Sequence, residues 1–176
     1  MSWSRGLAAG LVAVSLAACG FQPLYKKESA DVGGVTGDMS RIRIMTVRAK
    51  EPEFDRLGQQ MHNLLIQRLN PEGTPDDPLY RLECEMTVQR ERTGVRITDE
   101  ATRARLTVQV RFRLFPASSL NAVYNGTEQS ANSYNVVDSQ FATMSAENDA
   151  AHRAVREISD SIKLRLGIYF QRERGK

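Results

Sequence analysis

The sharpest pattern in the chain is an alternation of apolar and polar positions between residues 80 and 114. Tyr80, Leu82, Cys84, Met86 and Val88 alternate with Arg81, Glu83, Glu85, Thr87 and Gln89. Ala104, Leu106, Val108, Val110, Phe112 and Leu114 alternate with Arg103, Arg105, Thr107, Gln109, Arg111 and Arg113. A period of two gives each strand one apolar and one wet face. Paired as a hairpin whose opposed positions sum to 196, the strands set Glu83 against Arg113, Glu85 against Arg111 and Glu91 against Arg105 on the wet side. The same register opposes Met86 with Val110 and Cys84 with Phe112 inside. Agreement on both faces predicts this pairing.

Other segments follow their own periods. Arg41-Ile42-Arg43-Ile44-Met45-Thr46-Val47 reads as a half-buried strand. Pro52 suits the first turn of a helix, and Phe54, Leu57, Met61, Leu64, Leu65 and Leu69 recur at spacings of three and four on one helical face. Asn70-Pro71 ends that helix, and Pro75 and Pro78 keep the connection irregular. Leu120 to Val137, rich in Asn, Ser and Thr, reads as a further strand in which Asn125-Gly126 is either a tight turn or a bulge. Phe141, Met144, Ala151, Val155, Ile158, Ile162, Leu166 and Tyr169 then predict a helix of about thirty residues, some 45 Å long, capped by Asp138 or Ser139. The order is βαβββα. It predicts an α+β fold, a two-layer α/β sandwich with two helices on a mostly antiparallel sheet of about four strands.

The chain of 176 residues carries 24 Lys and Arg against 21 Asp and Glu, a formal charge of +3. That length fits one domain, and so small an excess does not predict a nucleic-acid partner. Two cysteines and two histidines exclude a zinc ribbon or a disulfide-rich scaffold. The sequence has no nucleophile elbow, phosphate-cradling glycine loop or metal-spaced cluster, so neither a catalytic site nor a cofactor or metal is expected. His62 and His152 lie off the apolar positions of their helices, and Cys84 lies on the core side of its strand with no base beside it.

The N-terminus has its own logic. Arg5 precedes a small, apolar run from Leu7 to Ala18, which as a helix rises only about 18 Å against a bilayer core of about 30 Å. Residues 1–18 therefore read as a signal peptide. Leu16-Ala17-Ala18-Cys19 resembles a bacterial lipobox, which makes Cys19 the acylated first residue of the mature chain. Two or more acyl chains anchor stably, where one does not. Gly20, in place of the Asp usual in inner-membrane lipoproteins, points to the outer membrane. From Lys26 to Met39 the chain has glycines and no apolar period, so residues 19–39 read as a lipidated start and flexible tether ahead of a domain at 40–176.

The lipobox, the run Cys19-Gly20-Phe21-Gln22-Pro23-Leu24-Tyr25 and the βαβββα order together resemble the lipopolysaccharide-assembly lipoprotein family, LptE. The resemblance implies a palmitate-bearing, non-enzymatic outer-membrane lipoprotein. It would plug and assist assembly of the large LptD β-barrel, with its domain on the periplasmic side or inside the barrel lumen, and help deliver lipopolysaccharide to the outer leaflet. The rival expectation is an auxiliary lipoprotein of a lipid-transport ABC system. The run names no contact residue, so contacts rest on charge. Arg90, Arg92, Arg96 and Arg103 gather near the hairpin loop with Glu91, Asp99 and Glu100 as their acidic neighbours. Planar guanidinium groups suit lipid phosphates, so this cluster is expected to meet lipopolysaccharide, to touch the barrel wall, or to remain solvated. Tyr124 and Tyr134 read as interface anchors or as ordinary half-buried strand residues.

Overall fold

The computed structural model describes residues 34–92 and 103–175. The signal peptide, Cys19, the Gly20–Tyr25 run and Arg96 lie outside them. The elements are α1 (Val35–Ser40), β1 (Ile42–Ile44), β2 (Arg48–Ala49), a 3₁₀ turn (Pro52–Phe54), α2 (Asp55–Leu69), β3 (Tyr80–Arg92), β4 (Arg103–Pro116), β5 (Tyr124–Asn135) and α3 (Gln140–Arg174). The sheet runs β1-β3-β4-β5, with β2 beside β1 along the same edge of β3. α2 and α3 cover one face and the other is open, which is the two-layer α+β sandwich expected. The described residues form three helices and five strands, where the alternation suggested two and about four.

β3 and β4 pair antiparallel in the expected register, Glu83 opposite Arg113, Cys84 opposite Phe112 and Glu91 opposite Arg105. Their apolar face supplies much of the core, with Leu82, Met86, Leu106, Val108, Val110, Phe112 and Leu114 fully enclosed. Outside, Arg111 and Arg113 reach Glu85 and Glu83 at 3.5 and 3.4 Å. Phe115, on the open face, is covered by the guanidinium groups of Arg81 and Arg113, 4.6 and 5.5 Å from its ring centre.

Three features depart from the periodic reading. The strand predicted over residues 41–47 is broken. Ile44 opposes Leu82 and Arg48 opposes Glu85, so three residues of one strand face two of the other. This bulge reverses the parity, which is why Ile42, Ile44 and then Val47 are all buried. His62 Nδ1–H donates to the Met45 carbonyl oxygen freed there (3.2 Å). Gly58 of α2 packs on the same bulge, where an added Cβ would stand 2.8 Å from the Val47 carbonyl oxygen. Second, the tether reading ends early. Residues 35–40 form α1, Met39 is buried, and Asp38 takes an ion pair from Arg174 at 2.7 Å. Burying Met39 stabilises a short helix that composition alone does not predict.

Third, β5 is continuous. Its register with β4 runs unbroken from Leu114 opposite Tyr124 to Arg103 opposite Asn135, so Asn125-Gly126 is neither turn nor bulge. Gly126 sits opposite Phe112 because the ring fills the space a side chain would need. α3 is 35 residues long, about 52 Å, and Ser139 caps it by accepting from Ala142 N at 3.3 Å. Its inner face from Ala150 to Phe170 is buried, but Phe141 and Met144, expected in the core, are 75% and 55% exposed. They lie in the first turns of the helix, at its end by the hairpin, ahead of Ala150, its first buried residue.

Candidate partner interface

The end of β3, the start of β4, the end of β5 and the first turns of α3 meet at one end of the sandwich. The expected arginine cluster divides there. In β3 the even positions face the helices, so Arg90 and Arg92 stand on the helix side, while Arg103 projects from the open face of β4.

Arg90 is not unpaired, as its place near the loop suggested. Its Nε donates to Glu147 Oε1 at 2.6 Å and its Nη1 to Glu53 Oε1 at 2.9 Å. Its guanidinium also stacks 4.7 Å from the centre of the Phe54 ring. The partners come from α3 and from the 3₁₀ turn, 57 and 37 residues away, which no charge count near the hairpin reveals. Glu147 in turn accepts from Tyr134 Oη–H at 3.0 Å, and burial followed by that bond to Glu147 pushes the Tyr134 phenol above its ordinary pKa. Arg92 lies near enough to oppose that rise. Tyr134 is thus a buried anchor within the fold. Tyr124 is half-buried, stacked on Tyr169 at 4.9 Å and tilted against Phe112 at 6.0 Å.

What this end presents outward is Arg92, Arg103 and the apolar pair Phe141 and Met144. Arg92 on the helix side, at the same end of the sandwich as Phe141 and Met144, and Arg103 on the open face give this end both guanidinium and apolar groups, which suit a molecule that carries phosphate and hydrocarbon. Periodicity placed Phe141 and Met144 on the core stripe and so hid them from this site. At the other end, α1 joins the last turns of α3 through Asp38 and Arg174. Gly34, where the described chain begins, therefore lies about a helix length from Phe141.

A hollow of about 430 Å³ opens on the sheet face beside the bulge, lined by Met45, Thr46, Arg48, Glu83, Cys84, Glu85, Arg111 and Arg113. Its Glu83, Glu85, Arg111 and Arg113 already pair with one another. Burial, reinforced by Glu83, raises the Cys84 thiol to about 12, so at neutral pH it is a protonated, unreactive group. Among the described residues no three His, Cys, Asp or Glu side chains are grouped to hold a metal ion. Nor is any described helix long and apolar enough to cross a membrane.

Comparison with known proteins agrees with this architecture. A lipoprotein-described chain from Caulobacter crescentus CB15 superposes with a TM-score of 0.59 and 26% identity, over 80% of this chain and 98% of that one. Rare lipoprotein B from Shewanella oneidensis shares the fold at a TM-score of 0.54 and 12% identity, over 76% of this chain and all of the other. A minor lipoprotein from Acinetobacter baumannii does so at 0.50 and 16%, over 72% and 93%. No curated protein sequence matches. Residues 39–166, from the end of α1 into the last third of α3, match the LptE lipopolysaccharide-assembly family, and the chain belongs to that family.

Proposed function

We propose that this lipoprotein of the cell envelope is anchored in the outer membrane through acylated Cys19. There it plugs and assists assembly of the LptD β-barrel during delivery of lipopolysaccharide to the outer leaflet. The observation that carries the reading is the family match across nearly the whole folded domain. The role is one of binding and assembly, not turnover. The two ends of the sandwich suit it. α1, the first described element, joins one end of α3, and Arg92, Arg103, Phe141 and Met144 stand at the other end. The open sheet face, wet along β3, β4 and β5, suits a water-filled lumen.

Of the four arginines, Arg92, Arg103 and Arg96 are the contacts to lipopolysaccharide phosphate or barrel wall in this reading. Arg90 supports them by holding the end of β3 to α3. The test is an affinity pull-down of the lipidated full-length chain from detergent-solubilised outer membranes. A stoichiometric large β-barrel is expected. Recovery of an ABC transporter component, or of no partner, overturns the reading. Loss of labelling by radioactive palmitate in Cys19→Ala checks the anchor.

A further inference from the structure

The two edges of the sheet are built differently. The β1–β2 edge is short, bulged and basic, with Arg43, Arg48 and Lys50, and beyond it Glu51 accepts the edge amide of Val88 at 3.3 Å. Such devices stop a sheet edge from accepting another strand. The β5 edge has none of them. Its twelve residues contain no proline, no lysine and no bulge, and its single charged residue, Glu128, turns toward α3 and pairs with Arg165.

The polarity of that edge follows from one bond. Ala117 N donates to Leu79 O at 2.8 Å, so the odd-numbered residues of β4 bond β3 and the even-numbered ones bond β5. Even residues of β5 therefore bond β4. The N–H and C=O groups of Asn125, Thr127, Gln129, Ala131, Ser133 and Asn135 point outward. Above this edge Leu164 and Ile168 of α3 are 49% and 37% exposed. Ile168 comes next round the helix from Arg165, at the flank of α3 on the β5 side, while Leu164 lies further round toward its outer face.

We infer that β5 is a docking edge that takes one extended segment of a partner polypeptide by strand addition. The segment would carry an apolar side chain toward Ile168 and uncharged ones beside Thr127, Gln129 and Ala131. A second copy of this chain, paired antiparallel, would have to accommodate its own long helix beside this one. α3 follows β5 along its whole length, with Tyr169 on Tyr124, Arg165 on Glu128, Glu157 on Ser130, Arg153 on Asn132 and Glu147 on Tyr134. Two β5 strands paired antiparallel at about 4.8 Å would set their two α3 helices side by side on one face. The inference deepens the proposed function, since the barrel protein is the partner it expects, but it stands on the edge itself.

The test uses the full-length lipidated chain in cells, with a photo-crosslinking residue at Gln129, and hydrogen exchange on the purified complex. An adduct with another polypeptide is expected, and Ala131→Pro, which removes an outward N–H without touching the β4 ladder, should lower it at least tenfold. In the complex the amides of Thr127, Gln129 and Ala131 should exchange at least tenfold more slowly than in the free chain. Thr127→Lys with Ser133→Lys, both on the open face, should have the same effect as the proline while leaving thermal unfolding unchanged. No adduct, an adduct with a second copy, or edge amides that exchange as in the free chain overturns the inference. If a barrel co-purifies while those amides stay unprotected, the edge inference falls and the barrel reading stands. If they are protected by a partner that is not a barrel, the reverse holds.

Discussion

Gly126 lies opposite Phe112 across the β4–β5 ladder, and a Cβ on it would stand 2.5 Å from the ring's Cζ. The glycine is there for the neighbour's ring, not for a backbone conformation of its own. Gly126→Ala should therefore cost about 1–3 kcal/mol by overpacking, measured by urea denaturation. Adding Phe112→Leu to that variant should cost less than the sum of the two single changes, because the smaller side chain vacates the same space.

Arg90 and the arginines beyond it should separate in behaviour. Arg90→Ala loses Glu147, Glu53 and the Phe54 ring together, and being partly exposed should lower stability by about 1 kcal/mol. Arg92→Glu with Arg103→Glu should change stability by less than about 0.5 kcal/mol and weaken association with barrel or lipopolysaccharide. Thermal unfolding and pull-down on the same variants check both halves. Equal effects in both assays would contradict the division of roles.

Arg68 grips Asp160 with two bonds, Nε to Oδ1 at 2.5 Å and Nη2 to Oδ2 at 3.1 Å, tying α2 to α3. The bond from Arg68 holds the Asp160 carboxyl below its ordinary pKa. A carboxylate stabilised in this way contributes above its unfolded pKa, and the contribution disappears as pH falls through the lower folded value. Since Asp160 is largely exposed, Asp160→Asn should cost under about 1 kcal/mol near pH 7. The gap from the parent should shrink as pH drops below about 4. Denaturation curves at neutral and acid pH measure it.

Cys84 carries the opposite sign. Burial raises its thiol to about 12, so the unfolded chain ionises first as pH climbs. Its contribution is complete below about pH 8.5 and declines above that. Cys84→Ala should flatten part of the alkaline loss of stability, with Tyr134 and Tyr169, also raised by burial, accounting for some of the rest. Alkylation at Cys84, read by peptide mass spectrometry, should be slow in the native chain and fast in urea.

The sequence by itself determined the elements whose physics is local or symmetric. The β3–β4 register was legible because two period-two patterns carry complementary charges outside and complementary volumes inside, and a one-residue slip would spoil both faces at once. The span and cap of α3, and the βαβββα core of the sandwich, followed from apolar periods of 3.6 and 2. The lipobox and the run from Cys19 to Tyr25 led to the family.

Tertiary structure decided whatever depended on a distant neighbour. The bulge at 45–47 exists because β3 imposes its spacing on a strand whose parity then changes, and Gly126 is explained by a ring on another strand. Arg90 is held by carboxylates far from it in the chain, and Met39 finds a core to enter, which makes a helix of residues that read as tether. Phe141 and Met144 fit the helical stripe yet lie outside the core, because among the described residues α3 begins well ahead of Ala150, where its buried face starts. Period tells which face a residue shares; only packing tells whether anything covers that face.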